Sequence, residues 1–230
     1  MDSQKESPLT LQAYNILKEK IMLLQFRPGE ILIVQALSKE LGISRTPIRE
    51  AVVRLEREGF VEATEGKKFK VSVLTMQKVL EIHEIRKLME QHAVRNVAMT
   101  ATKKQVSELN STIKHMEKAL SSKSYDNYFK YDLVFHDRII QYHGNETLGQ
   151  LMGQVNGKMQ RIRYLTTLIG DRLEKTLIEH QDIINAIQEH NPEKAVDKMA
   201  LHLEKVKDGL ASFFEKHEST FMARMFINNN

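Results

Sequence analysis

The most constraining feature of this chain is a glycine-centred turn between two short amphipathic segments near its N-terminus. Gly42 is placed to end a helix at Val34–Leu41 in the left-handed conformation that glycine adopts without strain. Ser44 is a typical N-cap for the next helix, and Pro47 falls within its first turn, where a missing N–H has no intrahelical partner to lose. The sequence therefore predicts two helices joined by a tight turn.

The second helix has one apolar face and one exposed face. Its apolar residues recur at helical spacing and predict a stripe packed against the rest of the domain: Ile48, Ala51, Val52 and Leu55. Arg45, Thr46 and Arg49 then point away from the stripe. Two guanidinium groups four residues apart share one helix face, where they can pair with guanine edges or phosphates in a DNA major groove.

Two short runs rich in aromatic and β-branched residues follow, at 60–65 and 69–74. Gly66, Lys67 and Lys68 separate them and form a basic tip. This order predicts a winged helix-turn-helix with a β-hairpin wing, and we expect this DNA-binding domain to span residues 1–74. The alternative is a helical hairpin whose arginines form only a solvated surface.

Three segments of this region resemble the N-terminal domain of GntR-family bacterial transcription regulators. They are Gly29-Glu30, the run from Leu37 to Ala51 and the run from Leu55 to Val61. In that family the start of the recognition helix contacts the operator and the wing reaches the minor groove. By motif position, the resemblance implies that Arg45, Thr46, Arg49 and Lys67 contact DNA. We add the flanking residues Ser44 and Lys68 to these candidates.

Composition sets looser bounds. A chain of 230 residues with 41% hydrophobic content can bury one large or two modest cores. The pattern changes near residue 75, which predicts a second domain at 75–230. The net charge of +4 is mild for a nucleic-acid binder, so the position of the basic residues matters more than their number. Without cysteine or an apolar stretch of membrane-spanning length, the sequence predicts a cytoplasmic protein with no membrane partner.

Helical patterns continue from Thr75 to Phe214 and predict an all-α bundle of about six helices, which makes the fold mainly α. Three of these helices carry His or Asp on their apolar faces. Asp132 and His136 lie one turn apart on one helix, and His180 and His202 lie on the stripes of two others. An unsatisfied buried polar group costs roughly 1–3 kcal/mol, and one shared divalent metal ion would satisfy all four.

Zinc is the first candidate for this metal, and nickel, manganese or iron(II) remain open. Each histidine could instead be a core residue bonded to a carbonyl or carboxylate. The surrounding segments, 132–136, 179–187 and 199–203, resemble the all-helical (FCD-type) effector domain of the FadR-like branch of the GntR family. In its metal-binding members these positions supply an Asp and three His to one divalent ion, which implies the same ligands here.

An inward-facing arginine indicates a further ligand. Arg86 lies on the apolar stripe of helix 76–97, and a buried Arg needs an anion. One candidate for that anion is the carboxylate of a small acid or hydroxy acid, which would also occupy an open coordination position on the metal. The other candidate is Glu90, one helical turn further along the chain. The resemblance places an Arg of this helix at the effector pocket, and Asn156 and Arg163 are candidates to border it.

These features predict a homodimeric transcriptional regulator, in the first instance a repressor, that binds a pseudo-palindromic operator and is modulated by a metal-bound carboxylate. Two alternatives are a metal-dependent hydrolase and a regulator whose helical domain only dimerises and binds no metal. A hydrolase would need a base near the metal. Glu179 is next to His180 in sequence but is expected to face away from the stripe.

Overall fold

The structure is a computed structural model that describes residues 7–22, 25–73, 75–166 and 169–226. The side chains of Lys67 and Arg163 lie outside this description. Contacts divide the chain into two compact units, one formed by the residues up to Thr75 with the stretch from His217 onward, and one by Met76–Lys216. Among the described residues, no helix has the length and apolar character needed to cross a membrane.

The first unit is a helix-turn-helix with a small antiparallel sheet in the order β1-β3-β2. Its elements are α1 (Pro8–Met22), β1 (Ile31–Leu32), α2 (Val34–Leu41), α3 (Arg45–Arg57), β2 (Val61–Thr64) and β3 (Lys68–Val71). β2 and β3 form the predicted hairpin, with Val61 opposite Val71 and Thr64 opposite Lys68. The winged fold is confirmed, and β1, a two-residue strand paired with β3, was not predicted.

The turn between α2 and α3 follows its sequence closely. Gly42 ends α2 in the left-handed region, with φ 64° and ψ 21°. The predicted apolar stripe of α3 is fully buried in one core with α1 and the sheet. Ser44 occupies the N-cap position, but its side chain makes no capping hydrogen bond, so the capping expectation is wrong in that respect. The exposed start of α3 is therefore held by packing of its opposite face.

The second unit is a bundle of six described helices, as predicted. They are α4 (Met76–Thr100), α5 (Lys103–Ser121), α6 (Tyr125–His143), α7 (Glu146–Thr166), α8 (Arg172–Gln188) and α9 (Pro192–Phe226), of which the part up to Lys216 belongs to this unit. Asn191 caps α9 by accepting the backbone N–H of Lys194 at 3.0 Å. α9 continues past Phe214, where the sequence pattern ended. Apolar side chains of α4, α5, α6, α8 and α9 share one core.

Candidate functional site

The first turn of α3 forms an exposed basic surface in the first unit. Arg45, Thr46 and Arg49 are all exposed, while the apolar stripe on the other side is buried. Ser44, just before them, is exposed as well. A helix N-terminus carries unpaired amides and a partial positive charge, so this surface suits phosphates and base edges. Lys68 is exposed at the start of β3 and extends the basic surface onto the wing.

Three histidines converge in the core of the second unit. α6 positions His136, α8 positions His180 and α9 positions His202, and each is no more than 2% exposed. One ligand nitrogen from each lies within 4.8 Å of the others. The Nε2 atoms of His180 and His202 are 3.3 Å apart. Two ligand atoms on one metal ion with bonds of about 2.1 Å are roughly 3.0–3.4 Å apart, so this spacing suits a shared ion.

Asp132 lies beside the same group. Its Oδ1 atom is 3.8 Å from Nε2 of His180 and 3.9 Å from Nε2 of His136. The structure thus brings all four sequence-predicted ligands together, one carboxylate and three imidazoles. This donor set contains no thiolate, and its ligand types suit zinc, nickel, manganese and iron(II) equally.

Two buried carboxylates orient two of the three histidines. The Nδ1–H of His136 donates to Oε2 of Glu90 at 2.5 Å, and Nε of Arg86 donates to the other oxygen of Glu90. We call this arrangement of Arg86, Glu90 and His136 an Arg–Glu–His chain. A carboxylate on Nδ1 fixes the tautomer, so Nε2 carries the lone pair and faces the other histidines.

The second Arg–Glu–His chain runs through α8. His202 donates from Nδ1 to Oε2 of Glu179 at 2.9 Å, and Arg172 donates to both oxygens of the same carboxylate, at 2.9 Å from Nη1. Glu179 is therefore buried in the site, and the expectation that it faces away is wrong. Residues on much of the circumference of α8 are buried, so Glu179 is buried as well as its neighbour His180. The i, i+7 spacing of Arg172 and Glu179 was a sequence signal for this pair.

Burial keeps His136 and His180 neutral. It lowers the pKa of His136 to about 4, and it holds the pKa of His180 well below its usual value. Burial by itself would raise the pKa of Glu179, but hydrogen bonds from His202 and Arg172 outweigh it and lower that pKa to about 2. Neutral imidazoles beside ionised carboxylates are the protonation states that metal binding requires.

Two nitrogens of this group have no hydrogen-bond partner among the described residues, although both are buried. They are Nε2 of His136 and Nδ1 of His180. Buried polar atoms are nearly always satisfied in folded proteins, so each needs a reason. For Nε2 of His136, which faces the other ligands, coordination of a divalent cation supplies that reason. The residues present therefore fit a metal.

A small cavity of about 30 Å³ adjoins this group of Asp132 and the three histidines. Its polar lining includes Arg86, Asp132, Arg172 and His202, and apolar side chains of α6, α7 and α8 close it. Nη2 of Arg86 and Nε of Arg172 are buried and have no hydrogen-bond partner in the described structure. Both guanidiniums thus retain donor capacity beside the ligand carboxylate, an arrangement that suits an anion.

The predicted effector residues do not all reach this cavity. Arg86 lines it, although its first partner is Glu90, the alternative weighed from the sequence. Asn156 is buried but donates to Oδ1 of Asp137 at 2.6 Å and is not part of the cavity lining. The side chain of Arg163 is outside the described residues. Arg172, which the sequence reasoning missed, lines the cavity instead.

Two families match the chain. The family described as "Bacterial regulatory proteins, gntR family" matches residues 9–81, and the "FCD domain" family matches residues 81–205. An uncharacterized HTH-type transcriptional regulator of Bacillus subtilis, YdhC, is 33% identical over 86% of this chain and 89% of its own length. The HTH-type transcriptional repressor RspR of Escherichia coli is 24% identical over 93% of this chain and 94% of its own length.

A solved structure has the same fold. E. coli McbR/YncC superposes with a TM-score of 0.67 at 22% sequence identity, covering 92% of this chain and 99% of that one. Likeness at this level of identity concerns the architecture alone. It agrees with a helix-turn-helix unit followed by a helical bundle.

Proposed function

The chain belongs to the GntR family of bacterial regulatory proteins, with an FCD domain after its helix-turn-helix. We infer that it is a cytoplasmic, homodimeric repressor. In this proposal the helical unit senses a small carboxylate at a bound metal ion. That it is a DNA-binding regulator of transcription follows from the family. The matched families and relatives are regulators and not enzymes. Repression, metal and effector are the proposal, and RspR, named a transcriptional repressor, supports the first.

One observation carries the metal part of the proposal. Three buried imidazoles from three helices and one carboxylate converge, and two of the imidazoles are oriented by buried glutamates. Asp132, His136, His180 and His202 would hold the ion, with zinc as the first choice and nickel, manganese or iron(II) as alternatives. When bound, the metal supplies a Lewis-acidic position that holds a carboxylate oxygen.

The effector part rests on the two arginines of the cavity. Each is paired with a glutamate, yet each has a buried nitrogen with no partner among the described residues. A carboxylate or hydroxy acid that reached both the ligand site and Arg86 or Arg172 would satisfy these donors. The cavity is small, so the effector would be a small acid.

The DNA part rests on the exposed first turn of α3 and on Lys68. In a dimer, two such heads would read two half-sites, so the operator would be pseudo-palindromic. For the effector to act, it must bind the DNA-competent and DNA-incompetent arrangements with different affinity. A coupling of about 1–3 kcal/mol would change operator affinity roughly five- to 150-fold.

The test combines elemental analysis with thermal shift on the purified protein, before and after stripping with a chelator. We expect close to one buried metal per chain and stabilisation by small carboxylates that is lost on stripping and restored by the metal. A protein with no metal that gains no stability from metal or acids would contradict the sensor. It would leave a DNA-binding regulator whose helical unit only dimerises.

The hydrolase alternative is not proposed. The families and relatives are regulators of transcription. Glu179 lies close enough to the site to be considered as a base, but both of its oxygens accept hydrogen bonds from Arg172 or His202. Its lowered pKa makes it a weak proton acceptor.

Exchanging Arg86 for lysine is expected to weaken effector binding while the metal content stays unchanged. A lysine can still neutralise Glu90, but it lacks the second terminal nitrogen that Arg86 leaves without a partner. A hydrogen bond to a charged group contributes about 1.5–3 kcal/mol, so the carboxylate should bind roughly 10- to 150-fold more weakly by calorimetry. Arg95→Lys, a change on the same helix but outside the cavity lining, is the control; equal losses in both variants would exclude a role for Arg86.

Removing the Lys68 side chain is expected to weaken operator binding modestly and at every DNA sequence alike. An exposed lysine on the wing contacts phosphate as a point charge, and one lost phosphate contact lowers the slope of log affinity against log salt by about 1. Binding to specific and random DNA at several salt concentrations measures both effects. Lys104→Ala, exposed in the second unit, should bind like the wild type, and an unchanged salt slope in Lys68→Ala would place the wing off the DNA.

A further inference from the structure

A second pair of histidines meets at the surface of the second unit. His92 is exposed on α4, and His143 is the last residue of α6. Their Nε2 atoms are 3.1 Å apart, and their ring centroids are 4.8 Å apart with a tilt of 50°. Neither residue belongs to the group of Asp132 and the three buried histidines.

The spacing of the pair matches that of two ligands on one ion. Nitrogens bonded to a common metal at about 2.1 Å are roughly 3.0–3.4 Å apart. The two rings are borne by separate helices that pack against each other in the same core. The helical backbones therefore hold the two nitrogens together, so little side-chain entropy would be lost on binding an ion.

Hydrogen bonding between the rings does not satisfy His143. Its Nδ1 is buried and has no partner in the described part of the chain. If Nε2 of His143 donates to His92, the lone pair on Nδ1 is unmatched; if Nε2 accepts, the N–H on Nδ1 is unmatched. The pair is thus not a completed hydrogen-bond network like the two Arg–Glu–His chains.

The electrostatic setting favours a cation. His143 lies at the C-terminus of α6, where Gly144 ends the helix and the helix dipole presents partial negative charge. The pKa of His143 is lowered, first by burial and second by repulsion from His92. The Nε2 atoms, 3.1 Å apart, are then placed for an incoming metal.

We propose that His92 and His143 form a second, surface-exposed site for a divalent transition-metal ion such as nickel, copper or zinc, with water completing its coordination. Imidazole nitrogens bind these ions, whereas magnesium and calcium prefer oxygen. Two protein ligands in contact with solvent hold an ion less tightly than four buried ones. The surface site should therefore be emptied first by a chelator.

Calorimetric titration of the chelator-stripped, full-length protein with nickel tests this site. We expect His92→Gln and His143→Gln each to bind one equivalent fewer than the wild type. His115→Gln is the matched control, because it removes another exposed histidine, on α5, and should leave uptake unchanged. Circular dichroism verifies the fold, and His92→Gln, on the exposed side, provides the test even if His143→Gln misfolds.

The outcomes separate this site from the buried one. If the buried site took up no nickel, all four proteins would lose the same equivalent, and the difference between His92→Gln and the wild type would remain. Equal nickel uptake by His92→Gln and the wild type would overturn the proposal. His92 and His143 would then share only a hydrogen bond.

Discussion

Replacing Arg49 with alanine is expected to weaken operator binding severely while leaving the fold intact. The side chain is exposed on the first turn of α3, so its removal opens no cavity in the core that the opposite face forms. A good Arg–base pair contributes about 1–3 kcal/mol to recognition, and a dimer would lose it twice. The affinity should fall by roughly 30-fold to 10⁴-fold, measured by fluorescence anisotropy on an operator selected from random DNA by the wild-type protein.

Arg57→Ala is the matched control for that loss. Arg57 is exposed at the last turn of the same helix, about 12 Å along the axis from Arg49, and its removal changes the net charge equally. We expect it to bind the operator nearly as well as the wild type. Unaltered affinity in Arg49→Ala would contradict the assignment of α3 as the recognition helix.

Changing His180 to alanine is expected to lower metal content and thermal stability together. His180 is fully buried and stacks on Phe135 with ring centroids 4.1 Å apart. The change removes a ligand and some packing. Metal at 1,000 times its dissociation constant stabilises a protein by about 4 kcal/mol, which is on the order of 10 °C for a chain of this size.

Comparison of metal-free and metal-loaded samples separates these two losses. The difference in melting temperature between wild type and His180→Ala without metal measures the packing share. The further gain on adding metal should appear in the wild type alone. A full metal complement in His180→Ala would remove His180 from the site.

The first unit could be predicted from the sequence because its signals are local. Gly42 adopts the left-handed conformation that its position between two helices requires, and the spacing of Ile48, Ala51, Val52 and Leu55 alone defines the buried face of α3. β1 was missed because two residues are too few to show an alternating pattern. Its pairing with β3 depends on contacts across nearly forty residues of sequence.

The candidate metal group was predictable in its ligands but not in its supports. Helical periodicity places Asp132, His136, His180 and His202 on apolar faces, and the structure brings them together. The roles of Glu90 and Glu179 depend on which side chains meet across helices, and periodicity within one helix carries no such information. Arg172 was missed although it lies seven residues before Glu179 on the same helix, because its position at the start of α8 resembles that of a solvated residue.

The three histidines of this site come from three different helices, α6, α8 and α9. Because these helices must pack before their nitrogens can meet, an ion bound at the proposed site would not act as a nucleus for folding. We expect the bundle to collapse at a rate that does not depend on metal, and the ion to enter last and slow unfolding instead. Metal depletion in the cell would then shorten the lifetime of the folded regulator before it changed how fast new copies mature.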